Sequence, residues 1–463
     1  MFALMNNSLF ITIKNLFVVL CLFLIVDGCS GVSNGVSESG SNEQCPLKIN
    51  VMKLSTGFSM TSVNTSVFRA NSITSDDQYQ FVSYYNEDGQ IIIAKRDIHT
   101  DKWIIHETNI FGDCARAYED PMYSDGHKSI SIGLDGEGFL HLCYDMHSNR
   151  MKYRKSLVPY SCVFGPNVYM VDSLDEQDVT YPEFWRLKNG NMLFTYRWGD
   201  EIIFNEYSIV DRKWRRRQKG LIIDREDQFS TYWQMYLDNN DNILLSWLWR
   251  EIGDPCSNHD LFYATSKNGY EWRNSKKEIY SLPINTSTAE LAWAIPKNRD
   301  YINQNSMAVD KDGNPYIALY YRDADSDVPQ YRVIYNNSEW KMSVVLNRKN
   351  PFSFAKLLMD GGGTLRVPIS RPRILIDSLN RGFYVFRDIE RGEKVSLAYC
   401  NDIKCPNWKI VDLTNFSVEA WEPSVDIERW KSEGVLDIYV QKAYGDLHLG
   451  ANPEPVYVVE VRW

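Results

Sequence analysis

One phrase recurs seven times along the chain, and it constrains the fold more than any other feature. A polar turn is followed by a short apolar strand that ends on an aromatic residue or close to one. The strands read YQFVSY (79–84), LHLCY (140–144), MLFTY (192–196), ILLSW (243–247), YIALY (316–320), FYVF (383–386) and LDIY (436–439). The turns before the second to fifth copies are DGEG (135–138), KNGN (188–191), NNDN (239–242) and DKDG (310–313). A partner strand follows each copy, and Trp103, Trp214, Trp272, Trp340 and Trp408 mark an expected outer strand. Seven strand groups spaced about 50 to 70 residues apart, with no convincing long helix, predict an all-β, seven-bladed β-propeller. A sandwich would not need seven matched copies, and the coil of a β-helix is far shorter. The ring should close where strand 47–54 meets strand 456–461.

The ends and the charge bound the rest. Lys14 precedes an apolar run at 16–26 that is too short to span a bilayer comfortably. The small residue before Cys29 resembles a bacterial lipoprotein cleavage box, although Asp27 departs from the usual pattern. The expectation is a signal peptide over 1–28, lipidation at Cys29, a Ser/Gly/Asn-rich tether over 29–45 and one propeller over 46–463. Such a protein is exported, either as a cell-surface or outer-membrane lipoprotein or secreted free. With 50 Lys and Arg against 60 Asp and Glu, the net charge of −10 argues against nucleic acid as a partner. It leaves room for an anionic substrate held by local positive charge. A monomer is expected, touching membrane only through the lipid.

Hairpin logic places a site. His127 precedes one strand, DGEG turns the chain, and His147 follows the returning strand, so both imidazoles belong to one rim. In the next phrase Tyr181 opens a strand and Arg197 ends its partner. In the one after, Tyr232 opens and Arg250 closes. Tyr and Arg are common on propeller surfaces, but three successive blades sending such groups to one rim point to a site. Glycoside hydrolysis usually requires two carboxylates. His, Tyr and Arg suit β-elimination from a uronate: Arg neutralises the carboxylate, one group removes the C5 proton, and another protonates the departing O4.

Four segments, DGHKSISIGLDGEGFLHLCYDMHSN (125–149), TYPEFWRLKNGNMLFTYR (180–197), TYWQMYLDNNDNILLSWLWRE (231–251) and NQNSMAVDKDGNP (303–315), together resemble the BNR-4 propeller family. That family includes the ulvan lyases of polysaccharide lyase families 24 and 25. The resemblance spans about residues 60–450, and SKNGYEW (266–272) resembles a degenerate Asp-box. It implies ulvan as substrate, a sulfated algal polymer of rhamnose-3-sulfate and uronate. It implies His127, His147, Tyr181 and Arg197 as catalytic residues, and Tyr232 as a substrate contact. Arg197 is expected on the carboxylate, and His127 and Tyr181 in proton transfer, with the base between them depending on the C5 epimer. Arg250 is expected near sulfate or carboxylate. Met146 stands where many members carry another His.

Cys256-x-x-His259 and Cys400-x4-Cys405 are an expected set of four ligands for a structural zinc, with a Cys400–Cys405 disulfide as the alternative. The resemblance supports zinc. Calcium is a further candidate cofactor with no residues assigned. The competing readings are a non-catalytic glycan-binding propeller and a sialidase-type hydrolase. The latter needs an arginine triad and a Tyr/Glu pair.

Overall fold

The computed structural model describes residues 47–463 except 69, 121, 122, 124, 200, 224–228, 252, 359–366 and 446. Cys29, the signal segment and the tether lie outside the described residues. Seven antiparallel sheets follow one another in sequence, six of four strands and one of three. Each of the seven repeated phrases is the second strand of its sheet. Among them are Tyr79–Tyr85, Leu140–Tyr144, Met192–Trp198 and Ile243–Glu251. The first strands of neighbouring sheets pack together around a central axis. The architecture is a seven-bladed propeller.

The recurring turn has a simple cause. Asp135, Asp238, Asp310 and Asp377 each accept hydrogen bonds on Oδ1 from the backbone N–H groups two and four residues on, at 2.7–3.0 Å. A carboxylate that satisfies two turn amides replaces ladder bonds the turn cannot make. Between blades the core is aromatic and aliphatic. Met146, Tyr153, Phe184, Phe194 and Trp214, for example, fill the space between blades two and three.

The ring closes as expected. Lys48–Gly57 is the outer strand of blade seven and pairs with Glu454–Arg462 from Lys48↔Arg462 to Gly57↔Glu454. Strand parity then defines two faces. Each inner strand starts at one face, which carries the candidate site. Each first turn lies at the other, where Lys48 also begins.

One outer-strand expectation is corrected. The last strand of blade four is Leu291–Trp293, not the segment carrying Trp272. Trp272 closes the Asp-box-like turn, in which Asn268 Oδ1 accepts from the N–H groups of Tyr270 and Glu271 at 2.9 Å each. Its indole is fully buried. Trp103 and Trp408 sit just before their outer strands, while Trp214 and Trp340 lie within theirs.

Candidate active site

The segments that lead into the inner strands bring their side chains to one mouth of the central channel. Phe68 comes from blade one, His127 from two, Tyr181 from three, Tyr232 from four, Arg371 from six and Glu422 from seven. His147, Arg197 and Arg250 arrive at the same mouth from the ends of second strands. All six rim residues expected from the hairpins are therefore neighbours.

Asp125, which the sequence reading missed, organises the histidines. Its Oδ1 accepts from the His127 backbone N–H at 2.9 Å and meets ring Nδ1 at 2.7 Å. Its Oδ2 meets His147 Nδ1 in a closer contact. His147 is turned back over His127 by left-handed residues on either side, Asp145 (φ 56°) and Ser148 (φ 52°). Asp145 is fixed in turn by Tyr85 Oη at 2.7 Å, the Asp113 N–H at 2.9 Å and Lys152 Nζ at 3.0 Å. The two imidazoles stack at 4.0 Å with 11° between their planes.

These contacts set protonation. Burial alone would raise the Asp125 pKa, but the hydrogen bonds from both histidines carry it well below the carboxylate range. Burial pushes His127 down to about 4, against the bond to Asp125. An ionised carboxylate can only accept, so His127 donates through Nδ1. Its Nε2 then carries a free lone pair at neutral pH.

Tyr181 is placed by a β-bulge. Thr195 pairs with Glu183 and Arg197 with Thr180, so Tyr181 and Pro182 together oppose Tyr196. Pro182 has no N–H to give to the ladder, and Ser131 Oγ anchors its carbonyl at 2.7 Å. Tyr181 takes φ 58°, a left-handed conformation that costs a bulky residue of order 1–3 kcal/mol. Tyr181 lies 6.0 Å from the His127 ring and 6.3 Å from that of Tyr232. The Arg197 guanidinium lies 4.8 Å from the Tyr181 ring and 5.4 Å from that of Tyr232, over which Arg250 also sits at 4.8 Å. Burial pushes the Tyr181 phenol up to about 12, against the pull of Arg197. It remains protonated at neutral pH.

Three further residues escaped the sequence reading. Phe68 covers the outer face of His127 at 4.0 Å and 15°. Arg371 lies 5.0 Å from the Phe68 ring and is gripped by Glu422 at 2.7 and 2.6 Å. Glu422 also accepts the Val67 N–H at 2.8 Å, so one carboxylate holds both the guanidinium and the loop that delivers Phe68. The result is a stack of Phe68, His127 and His147 with Arg371 beside Phe68. Met146 is fully buried, where its sulfur accepts the Lys152 N–H at 3.4 Å.

The zinc set does not assemble. Asp125, His127 and His147 are the only metal-ligand cluster of His, Cys, Asp and Glu among the described residues. Cys256 and His259 lie between the second and third strands of blade four, at the site face, where His259 Nδ1 bonds the Ser257 carbonyl at 2.9 Å. Cys400 ends the third strand of blade six and Cys405 follows it, at the opposite face. Parity keeps the pairs apart, and no disulfide joins Cys400 to Cys405. The Asp125 cluster suits a metal poorly, because nearly parallel imidazoles direct their in-plane lone pairs side by side and not at one point.

Two solved structures share the fold. The polysaccharide lyase Uly1 superposes with a TM-score of 0.66 at 14% identity, covering 89% of this chain and 99% of its own. A family PL25 ulvan lyase gives 0.64 at 14% identity, covering 88% and 94%, and was also determined bound to -[GlcA(1-4)Rha3S]-. No curated protein matches the chain. The family model described as "BNR repeat-containing family member" matches residues 79–348, more than half of the chain. Matched strands and a closed ring agree with that alignment, and the chain belongs to the BNR repeat-containing family BNR_4.

Proposed function

We propose that the protein is a polysaccharide lyase that cleaves a sulfated, uronate-containing polymer of the ulvan type by β-elimination. The observation that carries this reading is a complementary pair at one mouth. His127 is neutral with Nε2 available, and Tyr181 is protonated, its ring 6.0 Å away. Arg197 and Arg250 supply the positive charge that a uronate carboxylate or a sulfate requires. The shared fold with the lyases above supports the same reading.

In the proposed reaction Arg197 forks onto the uronate carboxylate and stabilises the charge that develops as the C5 proton leaves. His127 Nε2 takes that proton. The electron pair forms the C4=C5 double bond as the C4–O4 bond breaks, and Tyr181 gives its phenolic proton to O4. At neutral pH the protonation states favour His127 as base and Tyr181 as acid, an assignment the residue types alone left open. His147 shares Asp125 with His127 and holds its ring. Tyr232 contacts the sugar, and Arg250 takes the sulfate.

Export and lipidation at Cys29 belong to the same proposal. Incubation with ulvan tests the reading. New ultraviolet absorbance from an unsaturated uronate is expected. Tight binding of ulvan without that absorbance would favour a non-catalytic glycan-binding propeller.

A further inference from the structure

The face opposite the site carries a groove that the proposed reaction does not use. In blade seven the first turn is replaced by a short helix, Ile427–Glu433. Beside it opens a cavity of 590 Å³, the size of a site for a short oligosaccharide. Its walls include Tyr236, Trp430 and Trp463, and its charges include Lys48, Lys431 and Arg462.

The charges are unbalanced in a way that points to an anion. Asp377 and Glu433 also line the cavity, but Arg381 holds the first at 2.6 Å and Arg429 the second at 3.3 Å; Arg462 is held by Glu460 at 2.7 Å, which leaves Lys48 and Lys431 as the lining cations with no ion pair among the described residues. Lys431 Nζ lies 5.5 Å from the Tyr236 ring and 5.8 Å from that of Trp185, and among the described residues it makes no ion pair. Burial lowers its pKa, with Glu428, Asp238 and Asp241 acting on it only at longer range. A half-buried ammonium over aromatic rings, with no carboxylate in ion-pair contact, carries a desolvation cost that a bound anion would offset. The protein as a whole bears −10, so this positive groove is a local departure from its average. Trp463 stacks on Phe383 at 4.1 Å and packs against Trp430 at 5.3 Å, which makes the aromatic wall rigid.

We propose that this groove is a second, non-catalytic site that binds a short anionic segment of a polysaccharide on the face opposite the candidate active site. It rests on the lyase reading only for the choice of sugar. Two sites on opposite faces of one propeller can engage two chains, or two distant parts of one long chain, and so raise retention on polymer without touching the chemistry.

The test is hydrogen exchange read by mass spectrometry, with a tetrasaccharide of alternating glucuronate and rhamnose-3-sulfate as probe. The Tyr181→Phe background keeps the probe whole. Protection is expected in residues 377–381 and 427–435 as well as around the site. Lys48→Gln with Arg462→Gln changes two exposed side chains and sets no like charge against Glu460, which Arg462 meets at 2.7 Å, and circular dichroism checks that the fold is kept. It should weaken binding at the reverse face at least tenfold, leave protection at the site intact and, with Tyr181 present, leave turnover of the tetrasaccharide unchanged. Lys431→Met, which keeps the apolar stem, should weaken the same binding. Protection at the reverse face alone would sustain this proposal while removing the lyase reading. Protection at the site alone, or equal reverse-face affinity in the double variant, would overturn it.

Discussion

Phe68 lies flat on His127, with ring centroids 4.0 Å apart, and fills the imidazole face that His147 leaves open. A base covered on both faces can present only its edge. Asp125 occupies the Nδ1 side of that edge, so Nε2 is the atom left to react. The geometry thus selects Nε2 as the reactive nitrogen of His127.

Asp125→Asn tests that selection. An amide can donate where the carboxylate only accepts, so the tautomer lock on both rings is lost. A fall in kcat of roughly 10²-fold or more is expected, comparable to His127→Ala, with the fold retained. Steady-state kinetics beside circular dichroism reads it. Wild-type turnover in Asp125→Asn would remove the carboxylate from the mechanism.

Tyr181→Phe keeps the ring in the strained bulge and deletes only the hydroxyl. The rate should fall by roughly two orders of magnitude or more, with little change in melting temperature. Tyr181→Gly should relax the left-handed backbone and still be inactive. If Phe turns over normally, another group protonates O4.

Arg197→Lys keeps the charge but loses the planar fork. A large loss of kcat/KM is expected, with Arg197→Ala at least as impaired. Kinetics on ulvan oligosaccharides decides it, and free exchange for Lys would reduce Arg197 to general attraction.

The pH dependence follows from His127. Its folded pKa is about 4, below the ordinary 6.5, so the base stays competent well into acid and kcat/KM should fall only as pH drops through about 4. The unfolded state binds the proton first. Stability is therefore fully present above 6.5 and is lost as pH falls from 6.5 toward 4, by up to about 3 kcal/mol from this group. The charged and titratable groups around the ring are Asp125, His147, Arg371 and the Tyr181 phenol. Arg371→Met removes the cation beside Phe68 and should move the acid limb up toward the ordinary imidazole value. An NMR titration of the His127 ring measures this without any turnover, and an unmoved titration would deny Arg371 its electrostatic part.

Much of this was legible in the sequence because strand periodicity and turn chemistry are local. All seven repeated phrases became second strands, and the rim residues on blades two to four followed from hairpin geometry alone. Phe68, Arg371 and Glu422 carry no local signal. They gather at the mouth that holds His127 only because blades one, six and seven share a channel with blade two. Asp125 was within reach, two positions before His127, where a carboxylate can bond back to a backbone N–H. The four residues expected to hold zinc were not brought together, a point that parity could have exposed. Cys256 precedes and His259 opens a third strand while Cys400 ends one, which places them on opposite faces. Cys256→Ser and Cys405→Ser should accordingly show no coupling in a double-mutant cycle of stability.

The most direct measurement is the product of wild-type protein with purified ulvan. Mass spectrometry should show oligosaccharides lighter by one water than hydrolysis products, each ending in a 4,5-unsaturated uronate, and His127→Ala should make none at a comparable rate. Saturated, hydrated ends, or intact polymer after prolonged incubation, would contradict β-elimination at this site.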